Sequence, residues 1–190
     1  MRTFGILIIV AAIHMMPVVA WAAFKPIRVV APALLGLSCT LDDICIDDTT
    51  RLQEARSLKD EAVQFVNQRV GQLKNVPLAI FCSEAECAKS FGFTQQGAYN
   101  VGTFGLVIGP RGWDKHFVRH ELIHHLQNER LGSLNNWFFK PTWFLEGMAY
   151  SLSEDPRRPL PKPLEAWRQE FEAWYPTVRP EELWTSGATL

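Results

Sequence analysis

Residues 114–132 read Asp114-Lys115-His116-Phe117-Val118-Arg119-His120-Glu121-Leu122-Ile123-His124-His125-Leu126-Gln127-Asn128-Glu129-Arg130-Leu131-Gly132. Asp114 is a helix-capping side chain and Gly132 a helix stop, so the stretch predicts a helix from about 115 to 131. Val118, Leu122 and Leu126 form an apolar stripe that would dock this helix on a sheet. The opposite face carries His120 and His124 of the run His120-Glu121-Leu122-Ile123-His124, the pattern H-E-x-x-H. Residues four apart share a helix face, so the two imidazoles project together and can bind one metal ion, for which neutral imidazoles suit zinc. Glu121, about 60° round from His124, can reach a water on that ion.

A zinc site needs a further protein ligand, and the sequence restricts the choice. No histidine follows His125, and Gln127 and Arg130 occupy the places where H-E-x-x-H-x-x-G-x-x-H requires Gly and His, which excludes the metzincins. His116 would lie roughly 12 Å along the helix from His124, too far for one ion. His116 and His125 read as surface or hydrogen-bonded histidines. A carboxylate from elsewhere must then close the site. Glu146 lies in Trp143-Phe144-Leu145-Glu146-Gly147-Met148-Ala149-Tyr150, at the start of its own predicted helix.

H-E-x-x-H followed after about twenty residues by W-x-x-E-G-x-A resembles the gluzincin metallopeptidases, the group of thermolysin and the aminopeptidase N-like enzymes. The match runs from His120 to Tyr150 and identifies no particular family within the group. The resemblance implies a zincin-like fold, a small mixed sheet with an active-site helix and a C-terminal helical part. It implies one zinc ion per chain with His120, His124 and Glu146 as ligands, and Glu121 as general base for hydrolysis of a peptide or protein substrate. The Tyr99 to Ile108 segment looks like the edge strand that gluzincins lay along the substrate cleft. Two departures stand out. The aminopeptidase motif G-x-M-E-N is absent, and Tyr150 replaces the Asp that thermolysin-type sites carry four residues after the third ligand, leaving the partners that orient the histidines unidentified.

In the implied chemistry zinc polarises the scissile carbonyl and lowers the pKa of its water toward ~7, while Glu121 moves the proton. Tyr150, Tyr99 and Arg119 are candidate oxyanion donors; their plainer readings are a core aromatic, a strand residue and a salt-bridged side chain. Among rival carboxylates, Glu129 points away from the ion, and Glu154 and Asp155 sit past the end of the second helix. Gly147 is small enough to let the Glu146 helix approach the histidine helix. The apolar neighbours of Glu146 predict a buried carboxylate that a metal ion would compensate. A second reading is a non-catalytic zincin-like module that binds or assembles components of the cell envelope. The intact Glu121 favours the enzyme, since a structural zinc site needs no general base; non-protease zinc hydrolases remain a third class.

Working outward, Asp47-Asp48-Thr49-Thr50 can cap a long amphipathic helix over about 49 to 73. Val76 to Cys82 reads as a strand, Ser83 to Phe91 as a short helix, and Tyr99 to Ile108 as extended structure through Gly102 and Gly105. Thr142 to Ser153 and Leu164 to Trp174 read as helices. Strands early and helices late make this an α+β domain. The seven Trp and twelve Phe fall mostly in the C-terminal half, where they should line a core or an apolar cleft.

The apolar run Phe4 to Ala23 after Met1-Arg2 reads as a signal peptide, cleavable after Ala20-Trp21-Ala22, or as a retained anchor long enough for a bilayer, so residues 1–24 are set apart from a single domain at 25–190. Either fate exports the chain to an extracytoplasmic or periplasmic compartment, with membrane association through residues 4–23 in the second. Cys39, Cys45, Cys82 and Cys87 form an even set that suits two disulfides in an oxidising compartment, the local pairs Cys39–Cys45 and Cys82–Cys87 being favoured over the other pairings. C-x5-C and C-x4-C differ from the C-x2-C of zinc knuckles, and free buried thiols are the remaining reading. With 19 Lys and Arg against 20 Asp and Glu, the basic excess of a nucleic-acid binder is missing.

Overall fold

A computed structural model describes residues 19–21 and 23–190. Most of the apolar run Phe4 to Ala23, with its reading as signal or anchor, therefore lies outside the described residues. No helix among those described is long and apolar enough to cross a membrane.

The fold is α+β. Five short strands, β1 (Ser38–Cys39), β2 (Ile44–Ile46), β3 (Leu78–Phe81), β4 (Ala98–Val101) and β5 (Gly105–Ile108), form one mixed sheet in the order β1-β2-β3-β5-β4. β2, β3 and β5 run parallel, and the outer pairs β1/β2 and β4/β5 are antiparallel. Alternation along the strands sorts side chains to two faces. Ile44, Ile46, Ala79, Phe81, Leu106 and Ile108 turn to the main core, while Cys45, Ile80 and Val107 turn to a smaller core with Val29, Phe91 and Phe93.

The α-helices after residue 24 are α1 (Leu52–Arg69), α2 (Ala85–Ser90), α3 (Lys115–Leu131), α4 (Ser133–Phe139), α5 (Thr142–Leu152), α6 (Leu164–Trp174) and α7 (Leu183–Ala188). The main core is α1 and α3 laid on the sheet, with α5 and α6 stacked beyond α3. Ala55, Ala62 and Val66 of α1 meet Val118, Leu122, Ile123 and Leu126 of α3, all fully buried. The stripe read from residues 118, 122 and 126 is thus the docking face. Asp114 caps α3 by accepting the N–H of His116, and Gly132, in the left-handed region at φ +87°, lets the chain leave it.

Three expected elements differ. The helix expected over 49 to 73 starts as a 3-10 turn and closes at Arg69, because the N–H groups of Val70 and Gly71 both turn to Val66 O and the Asn67 side chain takes the N–H of Leu73. The single extended segment Tyr99 to Ile108 is a hairpin: Gly102, at φ +56°, turns the chain so that β4 folds back on β5 and only β4 is the sheet edge. Gly147 faces α6, where an added Cβ would stand 2.2 Å from Trp167 O; it admits that helix and not the histidine helix.

Candidate metal centre

α3 turns His120, Glu121 and His124 away from its docking stripe, toward a space bounded by the edge strand β4 and the helix α5. The two Nε2 atoms are 3.1 Å apart. Two nitrogens bound to one tetrahedral ion at ~2.0–2.1 Å stand about 3.3 Å apart, so the pair is already spaced as ligands. Glu146, on the first turns of α5, brings Oε1 to 3.5 Å from His124 Nε2 and Oε2 to 3.7 Å from His120 Nε2. One donor atom of each residue lies within 4.8 Å of the others, and the group can hold a metal ion. The sequence places these residues 22 positions apart; the packing of α5 on α3 closes the distance.

Charge in this group is balanced against burial. Burial pushes Glu146 up, but charged His124 and the hydrogen bonds from both imidazoles outweigh it and hold the carboxyl well below the usual range. Burial lowers His124, and Glu146, Glu121 and Gln127 more than offset that, raising it to about 9. His120 is lowered by burial and by its neighbour His124. Two carboxylates around two imidazoles thus favour one positive charge at the Nε2 atoms, as a proton or as a metal ion. Two imidazole nitrogens and a carboxylate are a borderline donor set that several first-row divalent ions share, zinc and iron(II) among them.

Glu121 is 5% exposed. Burial pushes its carboxyl up to about 8, with the charge of His124 and the backbone N–H of Asn100 acting in the opposite direction. That N–H belongs to β4, whose outer row of main-chain groups has no strand partner among the described residues. An Asn128 bridge to Asn100 Oδ1, at 3.0 Å, fastens the edge strand to α3.

Gln127 supplies the orienting contact that the sequence left unidentified. Its Oε1 accepts from His124 Nδ1 at 2.8 Å, which sets the tautomer and leaves Nε2 as the donor lone pair, and its Nε2 donates to Leu145 O at 2.9 Å. One fully buried amide therefore positions His124 on α3 and Leu145, next to Glu146, on α5. A Gln three positions after the second histidine was the available signal, since residues three apart adjoin on a helix.

Other predicted residues separate clearly. The Tyr150 ring packs edge-on against His120, centroids 4.4 Å apart, and burial pushes its phenol up to about 12, so it is a neutral donor beside the group. Tyr99 is not at the site: it points to the opposite face of the sheet, its hydroxyl bonded to Phe91 O and its ring on Phe93. Arg119 is buried and committed to Glu61, Glu154 and Ser153 O, tying α1 and α3 to the end of α5. Among the rival carboxylates, Glu129 accepts the N–H groups of Lys74 and Asn75, and Asp155 holds Arg157. His125 faces Asn75 O and Glu129, and His116 faces Asp114.

All four cysteines are oxidised, as Cys39–Cys45 and Cys82–Cys87. The cluster of Asp47 with Cys82 and Cys87 therefore offers no thiolate to a metal. Two disulfides fit an oxidising, extracellular environment. The chain matches no protein-family profile, no curated protein and no solved structure in the comparisons made.

Proposed function

We propose that this chain is a zinc-dependent peptide hydrolase of gluzincin type, acting outside the cytoplasm. The observation that carries the reading is the convergence of His120, His124 and Glu146 beside a buried glutamate that none of them needs as a ligand. A zinc ion held by those three would polarise a peptide carbonyl and lower the pKa of a water. Glu121 takes the proton of the water that attacks the carbonyl carbon and delivers it to the nitrogen as the C–N bond breaks. Its raised pKa suits both transfers near neutrality, since a cation among the ligands draws it down from about 8. Tyr150, neutral and with its ring against His120, would be the donor to the oxyanion. An extended peptide paired with the outer row of β4, beyond the Asn100 N–H that Glu121 takes, would run past Glu121, by the strand addition that sheet edges favour.

The test uses the purified full chain, with metal analysis and digestion of a peptide library. One zinc per chain and endoproteolytic cleavage are expected. Glu121→Gln should keep the metal and lose about 10²–10⁴-fold in rate, whereas Glu146→Ala should lose both. Full activity in Glu121→Gln would refute the mechanism; wild-type metal content and turnover in Glu146→Ala would refute the ligand set.

A further inference from the structure

α4 is built inside out. Its one buried residue is Asn136, which donates to Asn128 of α3, while Leu134, Trp137, Phe138 and Phe139 are 67% to 83% exposed. A helix packed on a globular core shows the reverse pattern. Beside it stands Phe104 at the tip of the β4–β5 turn, also well exposed. The two are joined where Ser133 Oγ lies 3.3 Å from the position of a Cβ on Gly102, so one apolar surface runs from the turn onto the helix. Residues 130–145 contain no Asp or Glu.

The chain enters the domain on the sheet face opposite α3, with Lys25 and Pro26 against Gly92, and reaches this end of the sheet four residues later. The 3-10 turn Lys25–Val30 packs on the sheet with Val29 Cγ2 2.9 Å from the Cβ position of Gly105, one residue from Phe104. Directly before that turn is the apolar run Phe4 to Ala23. We infer that the face formed by Phe104, Leu134, Trp137, Phe138 and Phe139 seats on a lipid bilayer, to which the N-terminal run, where it is retained as an anchor, would add a second contact. Trp and Phe are the side chains that settle at a membrane interface, and an acid-free surface meets no repulsion from anionic headgroups. α4 follows α3 directly, and its Asn136 bonds Asn128, which in turn holds Asn100 of β4, so docking there brings the β4 cleft to the membrane and selects substrate segments close to it. The seating itself requires only the fold; the substrate class rests on the peptidase reading.

Full-length protein in a Trp21→Phe background, reconstituted into vesicles of brominated phosphatidylcholine and phosphatidylglycerol, gives a direct test, because bromine quenches only tryptophans touching acyl chains. Quenching is expected, and most of it should vanish on adding Trp137→Phe, a conservative change at an exposed site. Zinc content and the near-ultraviolet spectrum control for folding. Identical quenching with and without Trp137 would overturn the inference. So would a vesicle-free dimer, seen by sedimentation and abolished by Trp137→Asp, which would assign the face to a second copy of the chain. Loss of peptidase activity in Glu121→Gln leaves this readout unchanged, which separates the two proposals.

Discussion

Gln127 shows how much a single side chain sets at this centre. Without its amide, His124 Nδ1 loses its acceptor and either ring tautomer becomes accessible, and Leu145 O beside Glu146 loses its donor. Gln127→Leu keeps the bulk and removes both bonds. Metal affinity should fall by about 10–100-fold while secondary structure is retained, as measured by chelator competition and circular dichroism; unchanged affinity would mean that packing alone orients His124. At the same scale, Tyr150 was legible as a candidate because it lies four residues from Glu146 on one helix face, whereas Tyr99 was misleading. Its type and position near the cleft gave no warning that strand alternation sends it to the far side of the sheet, against Phe93.

Among elements, the α5–α6 pair depends on a glycine. Gly147 lies against the backbone of α6, and a methyl group there would meet both Trp167 O and Phe171 Cβ at under 3 Å. Since α5 also carries Glu146, forcing the two helices apart would displace that carboxylate from the histidines. Gly147→Ala should destabilise the protein by about 1–3 kcal/mol, which at this chain length lowers Tm by roughly 2–4 °C per kcal/mol, and should weaken metal binding in parallel. Calorimetry with and without zinc reads both effects; a variant as stable as the wild type would show that α6 can shift freely. The rule that Gly147 is small was available from sequence, but which helix it admits was not. Helical periodicity tells which residues share a face and says nothing about what lies opposite.

For the whole molecule, the two disulfides and the metal group sit on opposite faces of the sheet. Cys39–Cys45 joins the β1–β2 pair, Cys82–Cys87 ties the end of β3 to α2, and both flank the smaller core. Closing such short loops should contribute about 2 kcal/mol each. Reduction with a phosphine is therefore expected to lower Tm by roughly 8–16 °C while zinc stoichiometry at 25 °C is kept; metal loss on reduction would show that the far face supports the site. By itself the sequence determined what is local in the chain: the caps and faces of α3, the pairing of imidazoles four residues apart, the span of α6, and cysteine pairs separated by a few residues. These follow from helix geometry and short loop closure, which need no partner. Only the tertiary structure decided that β4 turns back at Gly102, that Gln127 bridges two helices, that Glu146 closes on the histidines across 22 residues, and that the aromatic residues of α4 face outward. Each of those depends on which surfaces meet, and that is settled by burying the largest apolar area the whole chain can offer, a quantity no local period records.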